Sequence, residues 1–330
     1  MIVDIQRLKP GQSHGLRSLF QQYVLNKVLY LAGLMLLKRL NKIGQAIRRQ
    51  QKELLDSIIK ANHETKVARH FGLHTISSME EFRSKVPLTK SSDYEEFSKD
   101  VRENGTADVF FPGRADYVAM TSGTTSGKSK HFPKSLKIMK STMGRWIILS
   151  LKCMFDISTN QYLRYWLCVR ATVRTTLCPS GVRTGLISGI ASSFSLTPYV
   201  VPSLVNDMYN EKDVIYLNLI FGLKYPDICN LFFSTAHMAN LFFLVLERRW
   251  EEVCNDIQAG TISKSISICD KDRLMLCQYL NGGDANRANF LRGEFKKGFL
   301  HIVPRIWPEC PGLFCLGTGA FQTQVRICFP

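Results

Sequence analysis

The sequence is short of acidic residues, of paired metal ligands and of long apolar runs, and each shortage narrows what the protein can do. Against 43 Lys+Arg stand only 27 Asp+Glu, a net charge of +16. Such a surplus suits an anionic ligand or an anionic surface. It is concentrated: residues 114–183 carry twelve Lys/Arg, with Asp116 and Asp156 their only acids. No RNP, KH, zinc-finger or basic-helix pattern accompanies it, so nucleic acid is not the expected partner. The 10 cysteines form no C-x-x-C pair and have no histidines at ligand spacing. That excludes a disulfide framework and a zinc site, and it suits a reducing compartment such as the cytoplasm. No metal site is expected from them.

Apolar runs are equally limited. Val28–Leu37 is ten residues long, against the roughly 20 a spanning helix needs. No small-residue cleavage site follows it, so it is no signal peptide. A packed N-terminal helix is the plain expectation. An interfacial helix on an anionic membrane, formed by residues 16–44, is the sharper one. Ile228–Leu246 lacks charge over nineteen residues, but Asn230, Ser234, Thr235, His237 and Asn240 interrupt it. Polar side chains are costly in a membrane span. The better parse is a buried strand, 231–234, followed by a helix that Ser234 caps and that runs to about Ile257. Its stripe of Met238, Leu241, Phe242, Val245, Leu246, Val253 and Ile257 keeps helical period. There is no Walker A loop, G-x-S-x-G elbow or H-E-x-x-H pair.

What is present is enough for a large core: 45% apolar and 11% aromatic residues over 330 positions. Apolar spacing predicts a helix over 45–61 and a long one from Pro133 to about Phe155, striped by Ile138, Thr142, Trp146, Leu149 and Cys153. Capping boxes are expected at Ser78-Met-Glu-Glu81 and Ser92-Asp-Tyr-Glu95. Residues 108–111, 117–120 and 165–169 read as strands, and 178–205 as loops and short elements. Further helices are expected over 213–221, 270–280 and 286–297, and a strand over 313–316.

The most informative stretch is Thr121-Ser-Gly-Thr-Thr-Ser-Gly-Lys-Ser-Lys130, set after the strand-like 116–120. Gly123 and Gly127 let backbone N–H groups come close to a ligand, Ser122, Thr124 and Thr125 add hydroxyl donors, and Lys130 adds charge. That chemistry suits a polyphosphate. The alternative is an ordinary Ser/Gly surface loop.

The run matches S-G-T-[ST]-x-G-x-x-K, and here the chain resembles the GH3 family of acyl acid amido synthetases, which are adenylate-forming enzymes. Softer blocks agree in order: Leu54–Asn62, Glu81–Leu88, Lys130–Pro133, Arg249–Gly260 and Pro304–Pro308. The resemblance covers roughly residues 50–320. It implies an α/β fold, the large N-terminal adenylating domain with mixed sheets flanked by helices, over 45–330, preceded by a basic helical segment, 1–44. It implies that Thr121, Ser122, Gly123, Thr124, Thr125, Gly127 and Lys130 hold the nucleotide phosphates, with Thr318 and Gly319 as further nucleotide contacts. Arg145, Trp146 and His237 are weaker candidates for an acyl pocket. ATP with Mg2+, a small carboxylic acid and an amino acid acceptor are the implied partners. The acid and the acceptor themselves are not specified.

The family's second and third nucleotide motifs, Y-x-S-S-E with its metal-binding Glu and Y-R-x-G-D with its ribose-binding Asp, do not occur in these 330 residues. The mobile C-terminal domain is not expected either, so the chain reads as the N-terminal part of such a ligase, impaired when alone. A non-catalytic product that uses its basic surface on a membrane or partner is the competing reading.

Overall fold

The computed structural model describes residues 16–121, 129–157, 165–169, 175–186, 200–206, 208 and 210–319. They divide between two units, one drawn from Met1–Leu29, Cys153–Arg174 and Ser192–Pro330, the other from Tyr30–Lys152 and Thr175–Ala191. The strands are β1 (Tyr117–Met120), β2 (His131–Lys134), β3 (Tyr165–Val169), β4 (Thr176–Leu177), β5 (Arg183–Leu186), β6 (Ile228–Phe233) and β7 (Leu313–Phe314). They form two sheets, each flanked by helices, the expected α/β class.

In the second of these units the sheet order is β2-β1-β5-β4. β1 pairs antiparallel with β2 and parallel with β5. Thr184 donates its hydroxyl to the Val118 carbonyl at 2.9 Å, and Tyr117 donates to the Leu186 carbonyl at 3.0 Å. Val101, Val109, Val118 and Cys178 form the local core, backed by Phe97 and Phe110. The Glu95–Asn104 helix lies against it, ended by Gly105 at φ 64°.

Several expectations need correction here. Residues 108–111 are not a strand: the Asp108 and Val109 carbonyls accept from the Lys66 and Val67 N–H groups, and Asp108 has φ 57°. Pro133 lies in β2 and the helix begins at Leu136. β2 is an edge strand, where a residue without an N–H is tolerated. The buried residues of the Leu136–Ile157 helix include Met139, Leu151, Met154 and Phe155, whereas Ile138 and Trp146 are more than half exposed. The true stripe is the expected one advanced by a single position, about 100° around the helix. At Ser78 the hydroxyl accepts from the Glu81 N–H as expected, but the Glu81 carboxylate reaches the N–H of Ser77 instead. The second box sits two residues earlier, with Asp93 accepting from the Lys90 N–H at 2.7 Å.

The other unit carries a parallel sheet, β3-β6-β7. Eleven of the fourteen residues of the Glu211–Lys224 helix are buried. Its carboxyl end would present orphan carbonyls to the core. The Trp307 indole N–H answers the Tyr225 carbonyl at 3.0 Å and adds a second donor, at 3.3 Å, to the Gly222 carbonyl that the Tyr225 N–H already meets. Buried Arg287 takes the Leu223 carbonyl at 2.7 Å and the Ile306 carbonyl at 2.9 Å. Burial pushes that guanidinium down to about 10. The block containing Trp307 is thus a clasp in the core.

The block at 249–260 is another clasp. The Ala236–Ala259 helix kinks at Arg249, whose guanidinium lies 4.0 Å from the centre of the Tyr216 ring. Buried Asp256 accepts from the Tyr216 hydroxyl and the Ser263 N–H, both at 2.8 Å. Burial raises the Asp256 pKa, and those two hydrogen bonds oppose the rise. Strand followed by helix is the observed parse of 228–246. Among the described residues no helix is long and apolar enough to cross a membrane.

Candidate functional site

The ten residues 121–130 are the loop of the β1–β2 hairpin. Met120 faces His131 at the last ladder position. Beyond it, the Thr121 N–H donates to the Lys130 carbonyl at 3.0 Å, and the Lys130 N–H donates to Thr121 Oγ1 at 3.1 Å. Thr121 and Lys130 therefore close the loop at its base. Of the other phosphate-binding candidates, Ser122, Gly123, Thr124, Thr125 and Gly127 lie outside the described residues.

What positions the loop is legible around it. β1 and β5 run parallel, and the loop leaves from the carboxyl end of β1. Ligands in open α/β sheets bind outside the carboxyl ends of strands. Asp116, just before β1, accepts the Leu136 N–H at 2.8 Å and so ties the start of the following helix to the hairpin. Ser98 donates to the His131 carbonyl at 3.1 Å, fixing the start of the strand that follows Lys130. Burial, with Arg102 nearby, holds the His131 imidazole below its ordinary pKa. His131 is therefore neutral at pH 7, and positive charge on this segment rests with Lys130 and Lys134. Sequence reasoning missed Asp116 and Ser98 as supports. Neither carries a local signal: Asp116 precedes the helix start by twenty residues, and Ser98 precedes His131 by thirty-three.

The second-tier candidates belong to the other unit. Thr318 and Gly319 are exposed just beyond β7, with Gly319 at φ 64°. His237 is exposed in the first turn of the Ala236–Ala259 helix. Thr235 caps that helix, accepting from the Met238 N–H at 3.2 Å. The expected cap, Ser234, still continues the pairing of β6 with β3, its N–H donating to the Val169 carbonyl. The Ala236 N–H donates to the Leu316 carbonyl at 3.0 Å. The chain thus brings the exit of β7 and the start of this helix together, so that Thr318–Gly319 and His237 flank one corner. Two donors of the helix's first turn are already committed within the chain. Arg145 and Trp146 both stand exposed on the Leu136–Ile157 helix, with Trp146 57% exposed. An exposed indole of that kind is not a core residue.

Among the described residues no three His, Cys, Asp or Glu side chains converge. The Mg2+ implied by the resemblance has no ready ligand set there.

The model of the GH3 family N-terminal domain matches residues 36–326. The chain belongs to the GH3 family. Among its relatives is the jasmonoyl–L-amino acid synthetase GH3.3 of Oryza sativa subsp. japonica, 22% identical over 314 residues, covering 90% of this chain and 66% of that protein. Another is the indole-3-acetic acid-amido synthetase GH3.17 of Arabidopsis thaliana, 25% identical over 312 residues, covering 89% of this chain and 49% of that one. The fold matches the structure described as AtGH3.15 acyl acid amido synthetase in complex with 2,4-DB. Its TM-score is 0.75 at 17% identity, covering 89% of this chain and 52% of that one. This GH3 chain therefore spans between about half and two thirds of the length of these relatives, and its fold is that of their shared N-terminal part.

Proposed function

We propose that this chain provides the nucleotide-phosphate site of an ATP-dependent acyl acid–amino acid ligase. The carrying observation is the S-G-T-T-x-G-x-x-K hairpin loop, closed at its base by Thr121 and Lys130 and set at the carboxyl end of a parallel-paired strand. A carboxylate oxygen of the acid attacks the α-phosphorus of ATP, and the bond to pyrophosphate breaks, leaving an acyl-adenylate. The amine of an amino acid then attacks the acyl carbon, AMP leaves, the amine loses a proton, and an amide remains. The role of the loop is to hold the β- and γ-phosphates and stabilise the charge that gathers on departing pyrophosphate, a preorganised electrostatic contribution. The acid–amido synthesis for which the relatives are named supports a carboxylic acid and an amino acid as the substrate classes.

These residues contain no second or third nucleotide motif. Loss of one charge stabiliser typically costs on the order of a hundredfold in rate or more, so weak nucleotide binding and slow turnover are expected from these 330 residues alone. The test is ATP binding by equilibrium dialysis, followed by ATP–pyrophosphate exchange with a panel of carboxylic acids, comparing the chain with Lys130→Ala. Binding that falls at least tenfold in the variant, at unchanged circular dichroism, supports the site. ATP binding that ignores Lys130, or is absent from the unaltered chain, refutes it.

A further inference from the structure

The Leu16–Gln45 helix is apolar on two opposite faces, and among the described residues only one of them is covered. Leu29 is buried, and at Gly33 a Cβ would lie 2.4 Å from Lys152 Cβ and 3.2 Å from the Ile148 carbonyl oxygen. That is the docked side. At 100° per residue, Val28, Leu31 and Met35 fall on the opposite side, and they are 56%, 56% and 66% exposed. Phe20 and Val24 continue the stripe toward the helix start and are exposed too. One turn beyond Met35, the same side turns basic at Lys38, Arg39 and Lys42, all exposed. From Leu16 to Lys52 the chain carries eight Lys/Arg and no acid.

A soluble helix normally places charge opposite its packed face. Here aliphatic side chains stand where charge is expected, and cationic ones stand just past them. A second copy of this chain would meet this face with like charge. An anionic bilayer offers both complements at once, an acyl boundary for the stripe and headgroups for the cations. We propose that this outward face of the Leu16–Gln45 helix docks on an anionic lipid surface, with Val28, Leu31 and Met35 entering the acyl boundary and Lys38, Arg39 and Lys42 among the headgroups. The helix lies along the surface and does not cross it. Nothing in this depends on the ligase reading.

The test is sedimentation of the whole chain with vesicles of phosphatidylcholine alone and of phosphatidylcholine with phosphatidylserine. Pelleting is expected with the anionic vesicles and is expected to weaken steeply with salt. The double variant Leu31→Glu/Met35→Glu should lose at least tenfold in vesicle affinity. The triple variant Lys38→Gln/Arg39→Gln/Lys42→Gln should lose on the order of a hundredfold. All five positions are exposed or half-exposed on a helix, so circular dichroism should stay unchanged and ATP binding should be unaffected. Equal pelleting with both vesicle types, no pelleting, or pelleting that ignores both variants overturns the proposal. So does a dimer in size-exclusion chromatography that Leu31→Glu/Met35→Glu dissolves, since the stripe would then belong to a second copy.

Discussion

Replacing Gly260 with alanine should be among the most damaging single-methyl additions in the unit that carries β6. Gly260 ends the Ala236–Ala259 helix at φ 67°, its N–H donating to the Asp256 carbonyl at 2.8 Å. A Cβ there would lie 2.3 Å from the Gly282 carbonyl carbon and 2.5 Å from the Gly283 nitrogen. Those are backbone atoms, and they cannot retreat: a Cβ on Gly283 would itself lie 2.0 Å from the Gln258 carbonyl oxygen. Left-handed backbone costs an L-residue about 1–2 kcal/mol, and forcing volume into packed surroundings about 1–3 kcal/mol more. The sum is about 2–5 kcal/mol. Gly282→Ala is the internal control, because its φ is 84° but nothing lies within 4 Å of the added carbon. It should lose only the conformational part, about 1–2 kcal/mol. Urea unfolding followed by tryptophan fluorescence reads this unit, since Trp307 is fully buried within it. Both variants should shift the midpoint at unchanged slope. Equal losses from the two would refute the steric argument and leave only the backbone term.

Three further outcomes follow from the same geometry. Trp307→Phe keeps an aromatic ring but takes the indole donor from the Tyr225 carbonyl and leaves Gly222 only the Tyr225 N–H, so a loss of about 1–3 kcal/mol is expected in urea unfolding followed by circular dichroism. Gly33→Ala gains up to about 1 kcal/mol of helix propensity; the overlap with Lys152 Cβ costs about 1–3 kcal/mol, so a lowered melting temperature shows that packing wins. Asp100 is held down to about 2 by its hydrogen bonds from Asn104, Lys66 and Thr106. Its folded pKa is depressed, so its stabilisation is complete above the ordinary carboxylate value and is lost as pH falls through about 2; Asp100→Asn should flatten acid unfolding between roughly pH 4 and 2.

Local chemistry made much of the fold readable. The 270–280 helix and the strand-then-helix parse of 228–246 were legible because their apolar spacing and polar punctuation agree. The GH3 membership was legible because hydroxyls, glycines and a lysine at the fixed spacing of 122–130 have few structural uses. β5 was not: Arg183-Thr-Gly-Leu186 has no alternating pattern, and parallel pairing with β1 makes it a strand. Pro133 misled for the converse reason. Proline ordinarily opens a helix, and only its edge position in the sheet lets it stay in β2. The exposed stripe on the Leu136–Ile157 helix reads as the buried one in the sequence because Trp146 and Ile138 look like core residues. Periodicity gives the stripe but not which side meets the protein. Support of the hairpin by Ser98, thirty-three positions before His131, is long-range and invisible to any local rule.

The hydrogen bond from Ala236 to Leu316 joins two points far apart in the chain but reached through very short segments, three residues after β6 and two after β7. Side chains along those segments can be exchanged without touching it, because both partners are backbone. Adding or deleting one residue between Phe314 and Leu316 would swing the carbonyl off its donor and release the turn at Thr318 from the helix. This corner should therefore accept many spellings but a single length.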